Sequence, residues 1–340
     1  MLKRVRLGQV TCPSGQLVVS DGGYLSCWSG DRSPAEMDPV ELGVDDPKIM
    51  REIAGSVDFD IVGPQAAEAA ASFDRQQGKV LYDIPLSHIA PVSAEFAQHC
   101  RENGFDARLE VRSERVSHRE RVHRCVAAED GSFIVFGVPV VALGGLPADR
   151  SLAVVANQRD YGDLGLRWQD ISVQITDEPA VRSVRLGHIG VDWARLAFAD
   201  ADALSSWRHH KPVDGLADVV FWGADIDVAT EQLGADRLPE GVSGWENLDL
   251  EKAFERYEAV ETWIGAGQDR RLRIDFRPHS HHYQVMREVR ASENEAGTIE
   301  VAGATVLFAM TGWGDGWFPA FADFSQSGDL VALRMDLNPE

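Results

Sequence analysis

Two histidines set two residues apart, His279 and His281 in RPHSHHYQVM, are the residues best placed by type to hold a metal. On a strand, where side chains alternate, their rings share one face and His282 points to the other. Two imidazoles need one or two carboxylates to complete a divalent-metal ligand set. Barrel metalloenzymes that use this spacing place a Glu four or five residues after the second His. Here those positions are Val285 and Met286, and Glu288 comes later. The mismatch favours a satisfied or solvated histidine cluster, with His188, His209 and His210 as further histidines that only folding could bring near.

The most distinctive string is GWGDGWFP at 312–319. Its three glycines permit positive φ around Asp315, and Trp313 and Trp317 flank the turn. Trp313, Asp315 and Trp317 could line a pocket for a sugar or a peptide. A tight hairpin with packed tryptophans explains the same residues and is the favoured reading. The string lacks the Lys-Ser/Thr ending of a phosphate loop, and no Ser or Cys sits in a nucleophile elbow. Seven of the nine tryptophans fall in the second half, where burial is their commoner fate.

Acidic residues are the third feature. From Asp214 to Glu255 eleven Asp or Glu stand against Arg237 and Lys252, a net −9 over 42 residues, and Asp225, Asp227 and Glu231 lie at the centre of that run. A second run, Glu36 to Asp60, has eight acids against Lys48 and Arg51. Such runs are solvated surface or a means of steering a cationic partner.

The whole chain follows the same balance. Its 340 residues carry 54 Asp plus Glu against 33 Lys plus Arg, a formal charge of −21. That argues against direct nucleic-acid binding and against docking on an anionic membrane. Hydrophobic residues make up 44%, enough for a real core. No apolar run is long enough for a transmembrane helix, and MLKRVRLGQV has no apolar segment after its basic start, so a cytoplasmic location is expected. Cys12, Cys27, Cys100 and Cys125 are too irregularly spaced for a zinc module and too few for a disulfide scaffold.

The elements that must position these residues come in two copies. Residues 5–28 and 184–207 align without a gap at an offset of 179, with nine of 24 positions identical: Val-Arg-Leu-Gly, then Leu17/Leu196, Asp21/Asp200, Leu25/Leu204, Ser26/Ser205 and Trp28/Trp207. Each copy opens with two short strands, then an Asp in a capping or turn position and a short segment ending in Trp. Helices are expected at 63–77 and after Asp249, where Leu250, Ala253, Phe254, Tyr257, Val260 and Ile264 share a face and Glu251, Glu255, Glu258 and Glu261 lie on the wet side. The last 70 residues alternate as a β-meander, with YQVMREVRAS read as a strand, a turn at Ala302-Gly303, and Pro319 at an edge or strand start. RVHRCVAA in the first half also reads as a strand. The fold class is α+β with β dominant: two tandem related domains, 1–178 and 184–340, each an antiparallel sheet or sandwich with helical insertions.

GWGDGWFPAFADFSQSGDLVALRMDL resembles the C-terminal signature of an uncharacterised bacterial family of unknown function, in which a GxGDGxFP hairpin and a closing strand recur. RPHSHH and FWGADIDVA look like further strings of that family, and the resemblance covers about the last 150 residues. RVHRCVAAEDGSFIVFG is similar to nuclease-inhibitor and immunity-type domains. These resemblances imply architecture and no catalytic mechanism. The leading reading is therefore an acidic binding protein of inhibitor or immunity type, without a cofactor, engaging a basic toxin-like or nuclease-like protein through Asp225, Asp227 and Glu231. The alternatives are a metal-dependent enzyme on His279 and His281, and a carbohydrate or peptide binder using Trp313 and Trp317.

Overall fold

A computed structural model describes residues 2–338 apart from 39–41, 43, 45, 74–77, 129–131 and 268. The tail of the expected 63–77 helix, Glu41 and Asp45 of the second acidic run, and the EDG of RVHRCVAAEDG lie outside the described residues. The first half runs β1 (Lys3–Thr11), β2 (Leu17–Asp21), α1 (Pro47–Ala54), β3 (Val57–Val62), α2 (Ala66–Ser72), β4 (Val80–Ile84), α3 (Ile89–Asn103), β5 (Arg108–Val111), α4 (His118–Ala128), β6 (Ser132–Val135), β7 (Val138–Leu143), β8 (Ser151–Asp160) and β9 (Leu166–Gln174). The second runs β10 (Arg182–Val191), β11 (Arg195–Asp200), β12 (Leu216–Gly223), α5 (Ile226–Leu233), β13 (Asp236–Arg237), β14 (Ser243–Asp249), α6 (Leu250–Gly265), β15 (Leu272–Pro278), α7 (His281–Ala291), β16 (Ala296–Val301), β17 (Ala304–Met310), β18 (Gly316–Phe324) and β19 (Leu330–Asp336). The protein is α+β, β-dominated and antiparallel throughout its four sheets.

The repeat is visible as a repeat of elements, and the two copies are woven together. One six-stranded sheet has the order β1-β8-β9-β19-β18-β10, and the other β16-β17-β11-β2-β7-β6. Read inward from either edge, each sheet meets copy-equivalent strands in the same order, and the copies join at β9/β19 and β2/β11. The Val-Arg-Leu-Gly identity has a local cause. Both β1 and β10 carry a bulge in front of the glycine, between Arg6 and Gly8 and between Arg185 and Gly187. Both central hairpins turn through two residues at positive φ, Phe136-Gly137 and Ala302-Gly303, which suits the strand twist.

Chain contacts therefore divide the molecule elsewhere than at 178/184. One unit is Met1–Trp207 with Val285–Glu340, and the other is Arg208–Gln284. In the first unit the two six-stranded sheets enclose one core, with Val10, Leu17, Leu152, Ile171, Ile189, Phe198, Leu307 and Leu333 all buried. The outer face of the second sheet is covered by α4, through Val122 and Cys125, and by α7, through Val285, Met286 and Val289.

The second unit is one four-stranded sheet, β13-β14-β12-β15, backed by α5 and α6 over Val219, Phe221, Ala229, Ala253 and Val260. Its counterpart within the first unit is the sheet β4-β3-β5, backed by α2 and α3 over Phe59, Ile61, Ala69 and Phe96. All four cysteines are free.

Three expectations are corrected. RVHRCVAA and YQVMREVRAS are helices, α4 and α7, at equivalent places in the two copies. Their buried positions, Val122/Cys125 and Val285/Val289, recur at helical spacing, and packing on a sheet face overrides the weak alternation. Pro319 lies inside β18, paired with His188 of the edge strand β10. The β19 ladder begins only at Ala320, so Pro319 faces a partner on one side alone.

Candidate functional site

The same place in each copy holds a buried acid, and the two copies have equipped it differently. Asp58 on β3 takes the backbone N–H of Asp83 at 2.8 Å, and Asp218 on β12 takes that of Asn247 at 2.8 Å. Asp83 and Asn247 both sit at positive φ, 54° and 57°, a conformation that Asp and Asn tolerate better than most residues. A histidine opens the following helix in each copy. His118 Nδ1 accepts the N–H of Ser29, and His281 Nδ1 accepts the N–H of Arg208, each at 2.9 Å and each one residue past the repeated Trp.

In the first copy the site is a sealed charge network. Asp83 accepts from Arg121 Nη1 at 2.6 Å, Arg115 Nη2 at 2.6 Å and the N–H of Phe136 at 2.9 Å, and its side chain is fully buried. Burial alone would raise its pKa, but the guanidinium of Arg121 and its other partners hold it well below the usual carboxylate range. His118 is sealed beside it, and burial with the charge of Arg121 lowers its pKa to about 4. Because Nδ1 accepts, its proton is on Nε2. Among the described residues His118 Nε2 and Arg115 Nε are buried without a hydrogen-bond partner, while both oxygens of Asp83 are taken by arginines and a backbone N–H, and we read the network as structural.

In the second copy Asn247 has replaced the second acid, and the cluster opens toward solvent. His279 Nδ1 lies 2.9 Å from Asp214 Oδ2 and Nε2 lies 2.9 Å from Asp218 Oδ1, while Tyr283 Oη donates to Asp218 Oδ2 at 3.0 Å. Burial would lower the His279 pKa, but the two carboxylates outweigh it and raise it. Each ring nitrogen faces a carboxylate oxygen, an arrangement that favours the protonated ring. It clamps the chain before β12 to the end of β15, with His279 N–H to Leu216 O and Val213 N–H to His279 O, both at 3.0 Å.

This geometry corrects the paired-histidine reading. His279 follows β15 and His281 begins α7, so no strand places the two rings on one face. Both ring nitrogens of His279 are engaged by carboxylates, and Nδ1 of His281 accepts the N–H of Arg208. Among the described residues no group of three or more His, Cys, Asp or Glu is arranged to hold a metal ion.

No family model, no curated protein and no solved structure matches this chain. The site must be read from its own residues.

The acidic run is partly spent on structure. Asp225 accepts the N–H of Arg271 at 2.6 Å, Asp227 is paired with Arg237, and Asp249 caps α6 by taking the N–H of Lys252 at 2.9 Å. Folding also brings back positive charge: five arginines lie in 256–284, three of them in or next to β15, and residues 208–284 as a whole carry −6. Exposed acids remain at Glu231, Asp236 and Glu246 and along the outer row of α6, at Glu251, Glu255, Glu258 and Glu261. In that row stands Phe254, 55% exposed and stacked on Phe276 with centroids 4.8 Å apart and planes at 12°. Helical periodicity puts Phe254 in the core, and the structure leaves it outside.

The GDG string is a structural turn. Asp315 Oδ1 accepts the N–H of Ala194 at 3.0 Å, and Trp313 donates Nε1–H to Trp168 O at 2.7 Å and meets Tyr161 edge-on. Trp317 stands 64% exposed on β18. Trp313 is thus pinned by packing, so the proposed Trp313–Trp317 platform has only Trp317 as an open face.

Sequence reasoning missed His118, Asp83, Asp58, Arg121, Asp218 and Tyr283. Only the Trp-to-His relation could have signalled them, and it has no constant spacing, 90 residues in one copy and 74 in the other.

Proposed function

We propose that the protein is a non-catalytic binding protein that meets a basic partner, of the toxin-like or nuclease-like kind, through the outer face of α6 and Glu231. The observation that carries this reading is Phe254: a large apolar ring held flat on Phe276, exposed, and set among Glu251, Glu255 and Glu258. An apolar anchor within an acidic rim is the arrangement that a cationic, amphipathic surface would complement. Burying the Phe254 side chain would contribute about 2 kcal/mol, and the glutamates would act mainly on the association rate. The metal-enzyme reading gains no support from His279, whose two ring nitrogens both face carboxylates.

Titration calorimetry with a lysine-rich amphipathic peptide tests the proposal. Phe254→Ala is expected to weaken binding about thirtyfold and the triple change of Glu251, Glu255 and Glu258 to Lys to abolish it at low salt. Equal binding by wild type and Phe254→Ala would reduce the interaction to bulk charge and defeat the reading.

A further inference from the structure

The exposed face of α6 does not account for a second feature, a cavity of about 370 Å³ in the other unit, beside the GDG turn. Gln158, Arg167, Asn294, Glu293 and Glu295 surround it, and Trp168 supplies part of its wall. Among the described residues no hydrogen bond engages the side-chain heads of Gln158, Asn294, Glu293 or Glu295, and Arg167 reaches only the carbonyl of its neighbour Leu166. Glu293 and Glu295 are exposed and Gln158, Arg167 and Asn294 half-buried, so five polar heads border one open pocket without pairing with one another, which leaves their donors and acceptors to a ligand.

The backbone around this cavity is unusual as well. Ala194 and Glu295, neither of them glycine, lie at φ 55° and 50°, and Gly312 and Gly314 lie at 73° and 84°. Ala194 and Glu295 carry the conformational cost of that region, of the kind that gathers at binding sites, while the two glycines adopt it freely. The two copies differ at this place. In the first copy Gly15, the equivalent of Ala194, accepts the N–H of Leu146, and that buried leucine fills the end of the sandwich. In the second copy Ala194 accepts the N–H of Thr311 instead, and glycines follow where the first copy has its apolar plug.

We propose that this cavity binds a neutral polyhydroxylated ligand, a mono- or disaccharide. Two amides, two carboxylates and one guanidinium give both acceptors and donors in planar heads, which suit pairs of adjacent hydroxyls. A single arginine against two glutamates disfavours phosphate and other anions. The volume lies at the small end of ligand pockets, room for one or two sugar rings.

The test is saturation-transfer NMR on the full chain with a panel of neutral mono- and disaccharides, a polyamine and inorganic phosphate. Binding of at least one saccharide, lost tenfold or more in Gln158→Ala/Asn294→Ala and in Arg167→Met, but kept in Trp317→Ala, is the expected result. Thermal melting of each variant separates loss of the site from loss of the fold. No saccharide signal at 10 mM or so, preference for the polyamine or phosphate, or loss in Trp317→Ala with the cavity variants unchanged would each overturn the proposal.

Discussion

Asp21 and Asp200, equivalent residues of the two copies, each reach across to hold the other copy's turn. Asp21 Oδ2 accepts the N–H groups of Asp192 and Trp193 at 2.6 and 2.8 Å, and Asp200 Oδ2 accepts the N–H of Ser14 at 2.8 Å and its hydroxyl at 2.7 Å. Trp193 is Ser14 shifted by 179 residues, so the contact is the same one made twice in opposite directions. The remaining oxygens stay within their own copy, Asp21 Oδ1 on Gly23 N–H and Asp200 Oδ1 on those of Asp202 and Ala203. Such reciprocity is the geometry of an isologous contact, made here within one chain.

Both aspartates are buried, 0% and 1% exposed, so removing either leaves backbone donors without partners. Asp200→Ala is expected to destabilise by about 3 kcal/mol and Asp200→Asn, which keeps one acceptor, by about half as much. Urea unfolding reads this as a lower midpoint with an unchanged slope.

The divergence at Asp83 and Asn247 gives an unequal pair. Asp83→Asn leaves the buried Arg115 without its carboxylate and Arg121 with only Asp58, 3.7 Å away, and is expected to cost about 3 kcal/mol. Asn247→Ala loses only a residue suited to positive φ, about 1 kcal/mol, and Asn247→Gly should restore it. Chemical denaturation of the three variants checks the order.

His118 makes stability fall on the acid side. Its folded pKa of about 4 is below the ordinary histidine value of 6.5, so the unfolded chain takes up a proton first. Stability from this group is complete above 6.5 and is lost as pH falls toward 4, by about 3 kcal/mol in all. His118→Asn keeps an acceptor for Ser29 and should flatten that part of the stability-versus-pH curve.

His279 acts in the opposite sense. Its pKa is raised by Asp218 and Asp214, so its stabilisation is complete below the unfolded histidine value and fades as pH rises through the folded one. Asp214 is lowered, by the Leu216 N–H and by His279 against the effect of burial, so its share is lost only in stronger acid. Hydrogen exchange at the Val213 amide, bonded to His279 O, should therefore quicken at alkaline pH beyond the intrinsic rate. His279→Asn should remove that excess and cost about 2 kcal/mol at pH 6 or so.

The opening strands, the helix after Asp249 and the wet glutamates of α6 were legible because local pattern decides them. Asp200 also did what its position after a strand suggested, holding a turn. What stayed hidden depends on long-range pairing. Nothing local tells Leu196 that it will lie opposite Asp21, or that β9 will pair with β19, so two copies in series read as two separate sandwiches. The same holds for α4 and α7, whose periods are ambiguous until a sheet face lies beneath them. At the site, Asp83 and Asn247 looked unrelated because only the fold shows that they occupy one position.

The central functional claim is that α6, through Phe254 and its glutamates, is the surface that meets a cationic partner. Hydrogen exchange of the full chain with and without the lysine-rich amphipathic peptide tests it most directly. Slowed exchange confined to residues 250–262, absent in Phe254→Ala, is the predicted result. Protection spread evenly over the acidic surface, or centred on another element, would contradict it.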